Sequence, residues 1–286
     1  MANLLRLIAC LLLCVSLNSY STIIFDTNGN NCTVAENSSC IAGVFQGPLN
    51  LNNSNWSNSI IRAQEFDGIS FQNSNFSGSN IIVDWLHDID MSGSNFSNTD
   101  IIISGMSSDF SNSLFLNSNL NLSLISGDSF IGSNFTNSVV TVSGDMNFEG
   151  SDFSNSTLTG FNNGSSTFAN VNFRNATLYS SGSMFEVNGF NGSDFCGASI
   201  QLGSDGVRSD AEIPTIFGGA IFCESTTLPN YRYYDEDENF NTIISYWDPV
   251  DDLGMIFVSE VPLPAGIYLF LSGLVGLGLM RGRKSK

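Results

Sequence analysis

Between Leu51 and Ile200 an apolar residue returns at about every fifth position, and every fourth return starts the series again. Neither an α-helix, with a period of 3.6, nor a strand, with a period of 2, places every fifth residue on one side. A coil with four five-residue sides does. The spacing therefore predicts a solenoid with turns of about 20 residues and, at about 4.8 Å per coil, a length on the order of 35 Å.

Written as stacked rungs, the chain has four inward faces. The first consists of Leu51, Phe71, Met91, Phe110, Phe130, Phe148, Phe168 and Phe190. The second consists of Trp56, Phe76, Phe96, Phe115, Phe135, Phe153, Phe173 and Phe195. The third is aliphatic: Ile61, Ile81, Ile101, Leu120, Val140, Leu158, Leu178 and Ile200. The fourth begins with Phe66, Leu86, Met106 and Ile125, then turns polar at Asp145, Asn163, Ser183 and Asp205.

Departures from the 20-residue spacing all fall between the third face and the next first face. We therefore expect the fourth side to be irregular and to carry the loops, such as the one from Gly182 to Gly189, because surface loops tolerate insertions that a core does not.

The local units repeat a five-residue pattern, as in SNFSG, SNFTN, SDFSN and SDFCG. A small residue two positions before each Phe suits a crowded interior, and Asn or Asp followed by Ser or Thr suits turns at the corners. Over residues 51–200 this pattern resembles the pentapeptide-repeat family, with Ser where Ala is more usual. The resemblance implies an all-β fold, a right-handed quadrilateral β-helix. The five-residue period returns at Phe217 and Phe222 and predicts a last coil there, so we expect about 8–9 coils.

Residues 1–21 contain a single Arg6, the apolar run LIACLLLCVSL, and small residues at Ser19 and Ser21. This pattern predicts a helical secretory signal peptide, with a lipobox ending at Cys10 as the alternative. The predicted organisation continues with an N-terminal cap (22–50), the β-helix (51–228) and an acidic cap and spacer (229–260). The spacer contains no spaced Asp-x-Asp-x-Asp-Gly loop of the calcium-binding type.

Four cysteines follow the predicted signal peptide, and export to an oxidising compartment predicts two disulfides. Cys32 and Cys40 share the short segment CTVAENSSC, so their bridge would close a loop over the first coil. Cys196 and Cys223 each follow a Phe expected on the second face. Stacking of those coils brings the two cysteines within disulfide range and leaves no free thiol nucleophile in the mature chain.

The tail comprises Val261, Pro262, Leu263, Pro264 and Ala265, an apolar segment over 266–280 that predicts a short membrane helix, and the basic end RGRKSK. The apolar run is shorter than the roughly 20 residues that span a bilayer, and the basic end would stay cytoplasmic. The tail resembles the PEP-CTERM family of bacterial sorting signals in its VPLPA variant. That resemblance implies transient insertion in the inner membrane, removal by an exosortase-type membrane protease, and delivery to the cell surface or an extracellular polysaccharide matrix. A permanent membrane anchor is the alternative.

The net charge of -18 excludes nucleic-acid binding by phosphate neutralisation and favours cations or cationic surfaces as partners. Asp84, His87, Asp88 and Asp90 are candidate metal ligands, but Leu86 and Met91 take the inward positions there. We therefore expect these four residues to point outward without converging. With one His in the chain, we predict no catalytic residue, no metal and no cofactor, and hence no enzyme.

These features predict an exported, non-enzymatic structural or adhesive protein whose Ser- and Asn-rich walls contact extracellular polysaccharide. The alternatives are an acidic mimic of B-DNA, as some pentapeptide-repeat proteins are, an ion-binding or ice-binding surface array, and a permanently anchored surface protein. The predicted signal peptide and sorting tail favour the first function, because they direct the chain away from cytoplasmic DNA-binding enzymes.

Overall fold

The computed structural model describes residues 22–25, 28, 31–160, 166–180, 189–202, 217–228, 232–236, 242–246, 249–251 and 254–259. Over these residues the protein is an all-β, right-handed solenoid of about seven turns. No helix within these ranges is long and apolar enough to cross a membrane. The predicted signal helix, the sorting tail with its membrane segment, and Asn163, Ser183 and Asp205 lie outside the described residues.

One long parallel sheet runs the length of the rod. Its strands are β3 (Ser39–Gln46), β4 (Ile60–Asp67), β5 (Asn80–His87), β6 (Asp100–Met106), β7 (Asn119–Ser129), β8 (Val139–Asn147), β9 (Thr157–Thr159), β10 (Thr177–Ser180) and β11 (Ser199–Leu202). Each strand pairs in parallel with those one coil before and one coil after, as Ile61 pairs with Ile81. Strand order therefore equals chain order, as expected when each coil contacts only its neighbours.

Shorter strands lie at the two ends of the chain. An antiparallel pair joins β1 (Thr22–Phe25) to β2 (Asn31–Val34), a parallel pair joins β12 (Ile221–Cys223) to β15 (Ile256–Val258), and an antiparallel pair joins β13 (Arg232–Glu236) to β14 (Thr242–Tyr246). The long sheet starts at β3, inside the segment predicted as the cap, and Phe45 pairs with Phe66 and is buried. β15 likewise adds a strand from the predicted spacer. Backbone pairing at an end needs no complete five-residue repeat. The apolar period therefore underestimated how far strand pairing extends at both ends.

Side chains of the first three predicted faces fill the interior, and none of them is more than 7% exposed. On the second face the Phe rings stack from coil to coil, with ring centroids 4.8 Å apart for Phe115 and Phe135 and 4.5 Å apart for Phe135 and Phe153. Phe217 extends the first face, its ring 5.4 Å from that of Phe190. The structure has about seven turns. The predicted 8–9 coils exceed this number because each rung was counted as a coil, whereas a turn lies between two rungs.

The fourth side departs from the predicted column. Phe66 and Leu86 are buried and paired, but Leu86 pairs with Gly105 rather than with Met106, and Ile125 pairs with Gly144. A Cβ at Gly105 would lie 2.3 Å from the Leu86 carbonyl oxygen. The prediction of a continuous column through Met106 and Ile125 is therefore wrong. Register shifts on this side, at β5/β6, β6/β7 and β7/β8, displace the pairing, in keeping with the irregularity predicted there.

The corners depend on backbone conformations with positive φ, usually two residues after an inward Phe. Asn98 and Asn137 take this conformation with φ of 58° and 59°, and Gly78 takes it with φ of 72°. Asn is among the residues that tolerate this region best. Just before the Phe, the side-chain oxygen of Asn95 accepts a hydrogen bond from the Ser97 N–H at 3.0 Å. Such turns account for the recurring Asn-x-Ser/Thr triplets without reference to glycosylation.

Buried serines connect adjacent coils at the small position of each unit. The Ser133 hydroxyl donates to the Phe110 carbonyl oxygen at 2.8 Å and accepts from the Ser113 N–H at 3.1 Å. Ser94 makes the same two bonds, with Phe71 O and Ser74 N–H. An alanine would leave both buried backbone groups without this partner. These bonds explain why the chain uses Ser where Ala is more usual in the repeat.

Replacing one stacked ring tests the assignment of faces. Phe135→Ala is expected to lower the free energy of unfolding by about 3 to 5 kcal/mol, because it removes a fully buried ring and leaves a cavity between two stacked neighbours. Val139→Ala, which shortens an exposed apolar side chain in the same coil, should change it by no more than about 0.5 kcal/mol. Denaturant titration measures both values, and equal losses would contradict the assignment.

Candidate functional site

The outward face of the long sheet is the most regular surface of the described chain. Alternate residues of each strand point out, as the burial pattern of β4 shows. Because the strands pair in register, outward residues form rows with about 4.8 Å between neighbours. One row is Ile41, Arg62, Ile82, Ile102, Asn121, Thr141, Thr159, Tyr179 and Gln201. The second is Ser39, Ile60, Asn80, Asp100, Asn119, Val139, Thr157, Thr177 and Ser199.

We call these two rows the sheet face. It carries only two charged side chains, Arg62 and Asp100, and mixes short hydroxyl and amide groups with exposed aliphatic ones. Ile102 is 49% exposed and Tyr179 is 46% exposed. Thr141 and Thr159 have their hydroxyl oxygens 3.0 Å apart. The sheet face therefore offers hydrogen-bonding groups and apolar contacts at a constant spacing, which suits an extended polymer.

A second feature lies on the fourth side, where the only His of the chain meets two carboxylates. Asp67 and His87 end neighbouring strands and pair across the coils, and Asp88 follows His87 directly. Ligand atoms of the three residues all lie within 4.8 Å of one another, and His87 Nδ1 is 3.9 Å from Asp88 Oδ2. The Gln46 amide donates to Asp67 Oδ2 at 3.1 Å.

This arrangement corrects part of the sequence prediction. His87 and Asp88 point outward as expected, but they converge with Asp67 from the preceding coil, so the expectation that the acidic residues here do not converge is wrong for Asp88. Asp84 is exposed and Asp90 accepts hydrogen bonds from Gln72 and Ser92, and neither belongs to the group. The sequence prediction did not include Asp67 in this group, because Asp67 lies 20 residues before His87. A separation of 20 residues equals one coil, and this spacing was the signal in the sequence that the two residues are neighbours.

A buried carboxyl group is the third feature, and it was not among the residues predicted from the sequence. Asp128 is 3% exposed and stands two residues before Phe130, at a small position, which was the signal for its burial. Burial raises the pKa of Asp128 to about 6, and a hydrogen bond from the Ser108 N–H partly offsets this rise. The Ser108 hydroxyl is buried without a hydrogen-bond partner in the described structure.

The cysteines named in the sequence analysis lie near opposite ends of the ladder. Cys32 and Cys40 form a disulfide with their Cα atoms 4.8 Å apart, and Cys196 and Cys223 form another with Cα atoms 4.9 Å apart. The pairs are those expected from the sequence. The second bridge connects β12 to the preceding coil. Residues Val261 to Ala265, predicted as the processing motif, lie outside the described residues.

Among known proteins, similarity to this chain is found in solved structures. No family model and no curated protein matches the chain. Among solved structures, trypsin-treated QnrB1, a plasmid-mediated fluoroquinolone resistance protein, is 14% identical over 58% of this chain and 91% of its own, with a TM-score of 0.29. Full-length QnrB1 is 15% identical over 82% and 98%, with a TM-score of 0.25.

HetL, a pentapeptide repeat protein involved in heterocyst differentiation regulation in the cyanobacterium Nostoc, is 9% identical over 59% of this chain and 84% of its own, with a TM-score of 0.23. These neighbours are pentapeptide-repeat proteins, and the likeness concerns the fold alone. The sorting-signal resemblance of the tail stays a prediction.

The buried Asp128 generates a pH prediction. The pKa of its carboxyl group is about 3.8 in the unfolded chain and about 6 in the folded chain, so its contribution to stability is fully present below pH 3.8 and is lost as the pH rises to about 6. The loss amounts to about 3 kcal/mol. Asn is neutral at every pH, so Asp128→Asn should be more stable than the wild type at pH 7, where the buried Asp128 is ionised.

Chemical denaturation from pH 3.5 to 7.5 measures the effect as the difference between variant and wild type. Asp145→Asn is the matched control, because Asp145 is an exposed aspartate on the same side of the solenoid. It should not produce the gain in stability at pH 7 that is expected for Asp128→Asn. If the stability of Asp128→Asn and that of the wild type changed with pH in parallel, the raised pKa assigned to Asp128 would be contradicted.

Proposed function

We propose that this protein is an exported, non-enzymatic rod of the cell surface or extracellular matrix that binds polysaccharide through the sheet face. The observation that carries the proposal is the pair of in-register outward rows, which repeat at a constant interval and bear little charge. A polysaccharide chain presents hydroxyl groups and apolar ring faces along its length. Threonine and asparagine side chains hydrogen-bond to hydroxyl groups, and exposed Ile102 and Tyr179 supply apolar contact area.

The charge distribution supports this function over mimicry of DNA. A rod on the order of 35 Å corresponds to about 20 phosphates of B-DNA. The described part of the rod between Ser39 and Leu202 carries only eleven accessible acidic side chains, and Arg62 and Arg174 offset the charge of two of them. The eleven acidic residues are Glu65, Asp67, Asp84, Asp88, Asp90, Asp100, Asp109, Asp145, Glu149, Asp152 and Asp194. The density of negative charge is therefore about half that of the duplex.

Export is supported by the sequence at both termini and by the two disulfides. Disulfides persist in oxidising compartments and are rare in the reducing cytosol. The apolar segment that precedes the ladder and the VPLPA-type tail provide the expected means of export and surface delivery. In this proposal an exosortase-type protease removes the tail, and the rod is released from the membrane to reach the matrix.

Polysaccharide binding is tested with the purified protein on a panel of immobilised extracellular polysaccharides. The double variant Ile102→Ala and Tyr179→Ala removes exposed apolar surface from the sheet face and should weaken binding at least tenfold. Leu114→Ala with Ile131→Ala is the matched control, because these side chains are similarly exposed but lie on other walls. Equal weakening by both variants, or no retention on any polysaccharide, would reject the proposed surface.

Sorting is tested with two epitope tags in one chain, one before Asn239 and one after Lys286. We expect the two tags to separate, the first in the surface or extracellular fraction and the second in the membrane, because the short apolar run retains the chain only until cleavage near Val261 to Ala265. Recovery of both tags on one detergent-extracted, full-length chain would support a permanent anchor instead.

A further inference from the structure

We propose that Asp67, His87 and Asp88 form a binding site for a divalent transition-metal cation, with Zn²⁺ as the best-matched ion. The proposal rests on the convergence of three ligand side chains from two neighbouring coils. Within the described part of the chain, this is the one group of three or more His, Cys, Asp or Glu residues whose ligand atoms lie this close together.

The pairing of the coils produces this convergence. Gln46, Asp67 and His87 occupy the same register position on β3, β4 and β5, so the Asp67 and His87 side chains leave the sheet on the same side, one strand spacing apart. Asp88 then turns the chain with φ of 50°, at the corner where the two preceding coils have Gly47 and Gly68. The carboxylate of Asp88 is thereby placed beside the imidazole.

The separations suit a common cation. Zn²⁺ binds His nitrogen and carboxylate oxygen at about 2.0 to 2.2 Å, so two ligand atoms of a tetrahedral site lie about 3.5 Å apart. His87 Nδ1 and Asp88 Oδ2 are 3.9 Å apart, and all three residues offer ligand atoms within 4.8 Å. Small side-chain rotations close the remaining gap. They are accessible because the His87 and Asp88 side chains are 44% and 69% exposed.

The ligand chemistry selects among cations. An imidazole nitrogen with two carboxylate oxygens suits Zn²⁺ and neighbouring transition metals, whereas Ca²⁺ requires six to eight oxygen ligands, more than this group supplies. The Gln46 amide, which donates to Asp67 Oδ2, orients the carboxylate and leaves its other oxygen for the metal. Three protein ligands leave a fourth position for water or for a group from a partner.

The single histidine of the chain provides a specific readout. Titration of the ¹⁵N-labelled protein with Zn²⁺ is expected to shift the His87 imidazole resonances and to saturate at one equivalent. Asp67→Asn and Asp88→Asn should each weaken Zn²⁺ binding at least tenfold by the same readout. Ca²⁺ at the same concentrations should leave the imidazole resonances in place.

Asp84→Asn is the matched control, because it removes one exposed carboxylate from the same strand but outside the group. It should keep the affinity of the wild type. Unshifted His87 resonances in millimolar Zn²⁺, a response to Ca²⁺ equal to that for Zn²⁺, or equal weakening by Asp84→Asn and Asp67→Asn would overturn the proposal. The last result would indicate attraction to the general negative charge. All the substituted side chains are accessible to solvent, so we expect the variants to fold like the wild type. Circular dichroism spectra check this.

Discussion

Register between successive coils is the constraint on which the rest of the structure depends. Parallel backbone hydrogen bonds join the coils at every corner, as in the bond from Phe135 N–H to the Asp152 carbonyl oxygen at 2.7 Å and the return bond from Asp152 N–H to Ser133 O at 2.9 Å. A slip by one residue would turn the inward side chains outward. Ring stacking and serine hydrogen bonding both require that the same position of each unit lies above itself.

The interior combines aromatic packing with full use of backbone hydrogen-bonding groups. Phe rings occupy the space at two of the four inward positions, while serines at the small positions bond to backbone groups of the neighbouring coil. These two requirements do not compete, because a hydroxyl group fits the narrow space beside a ring and reaches a carbonyl oxygen within 3 Å, as Ser133 does with Phe110. At Asp128 the match is poorer. A carboxyl group is buried there, and it retains its proton to a higher pH than usual.

Regular and irregular sides of the solenoid offer different chemistry. The sheet face repeats one environment along the rod and therefore suits a partner that is itself periodic. The fourth side shifts register between β5 and β8, and it also carries side chains that occur once, including the His87 group and Asp128. The pairing of Asp67 with His87 is itself in register, so this group depends on the regular stacking of β4 on β5.

The solenoid and its first three faces could be predicted from the amino-acid sequence, because a five-residue period held over eight rungs leaves no other way to bury those side chains. It also indicated both disulfide pairs, one from proximity in the chain and one from the equivalent positions of Cys196 and Cys223. The tertiary structure alone decided the fourth side. There a register shift pairs Leu86 with Gly105, and strand pairing brings Asp67 to His87. Apolar spacing could not reveal the first result, since a bulge alters the pairing without altering the pattern of inward residues on the other faces. For the second, the 20-residue separation was present in the sequence, but only the paired strands show that the two side chains meet.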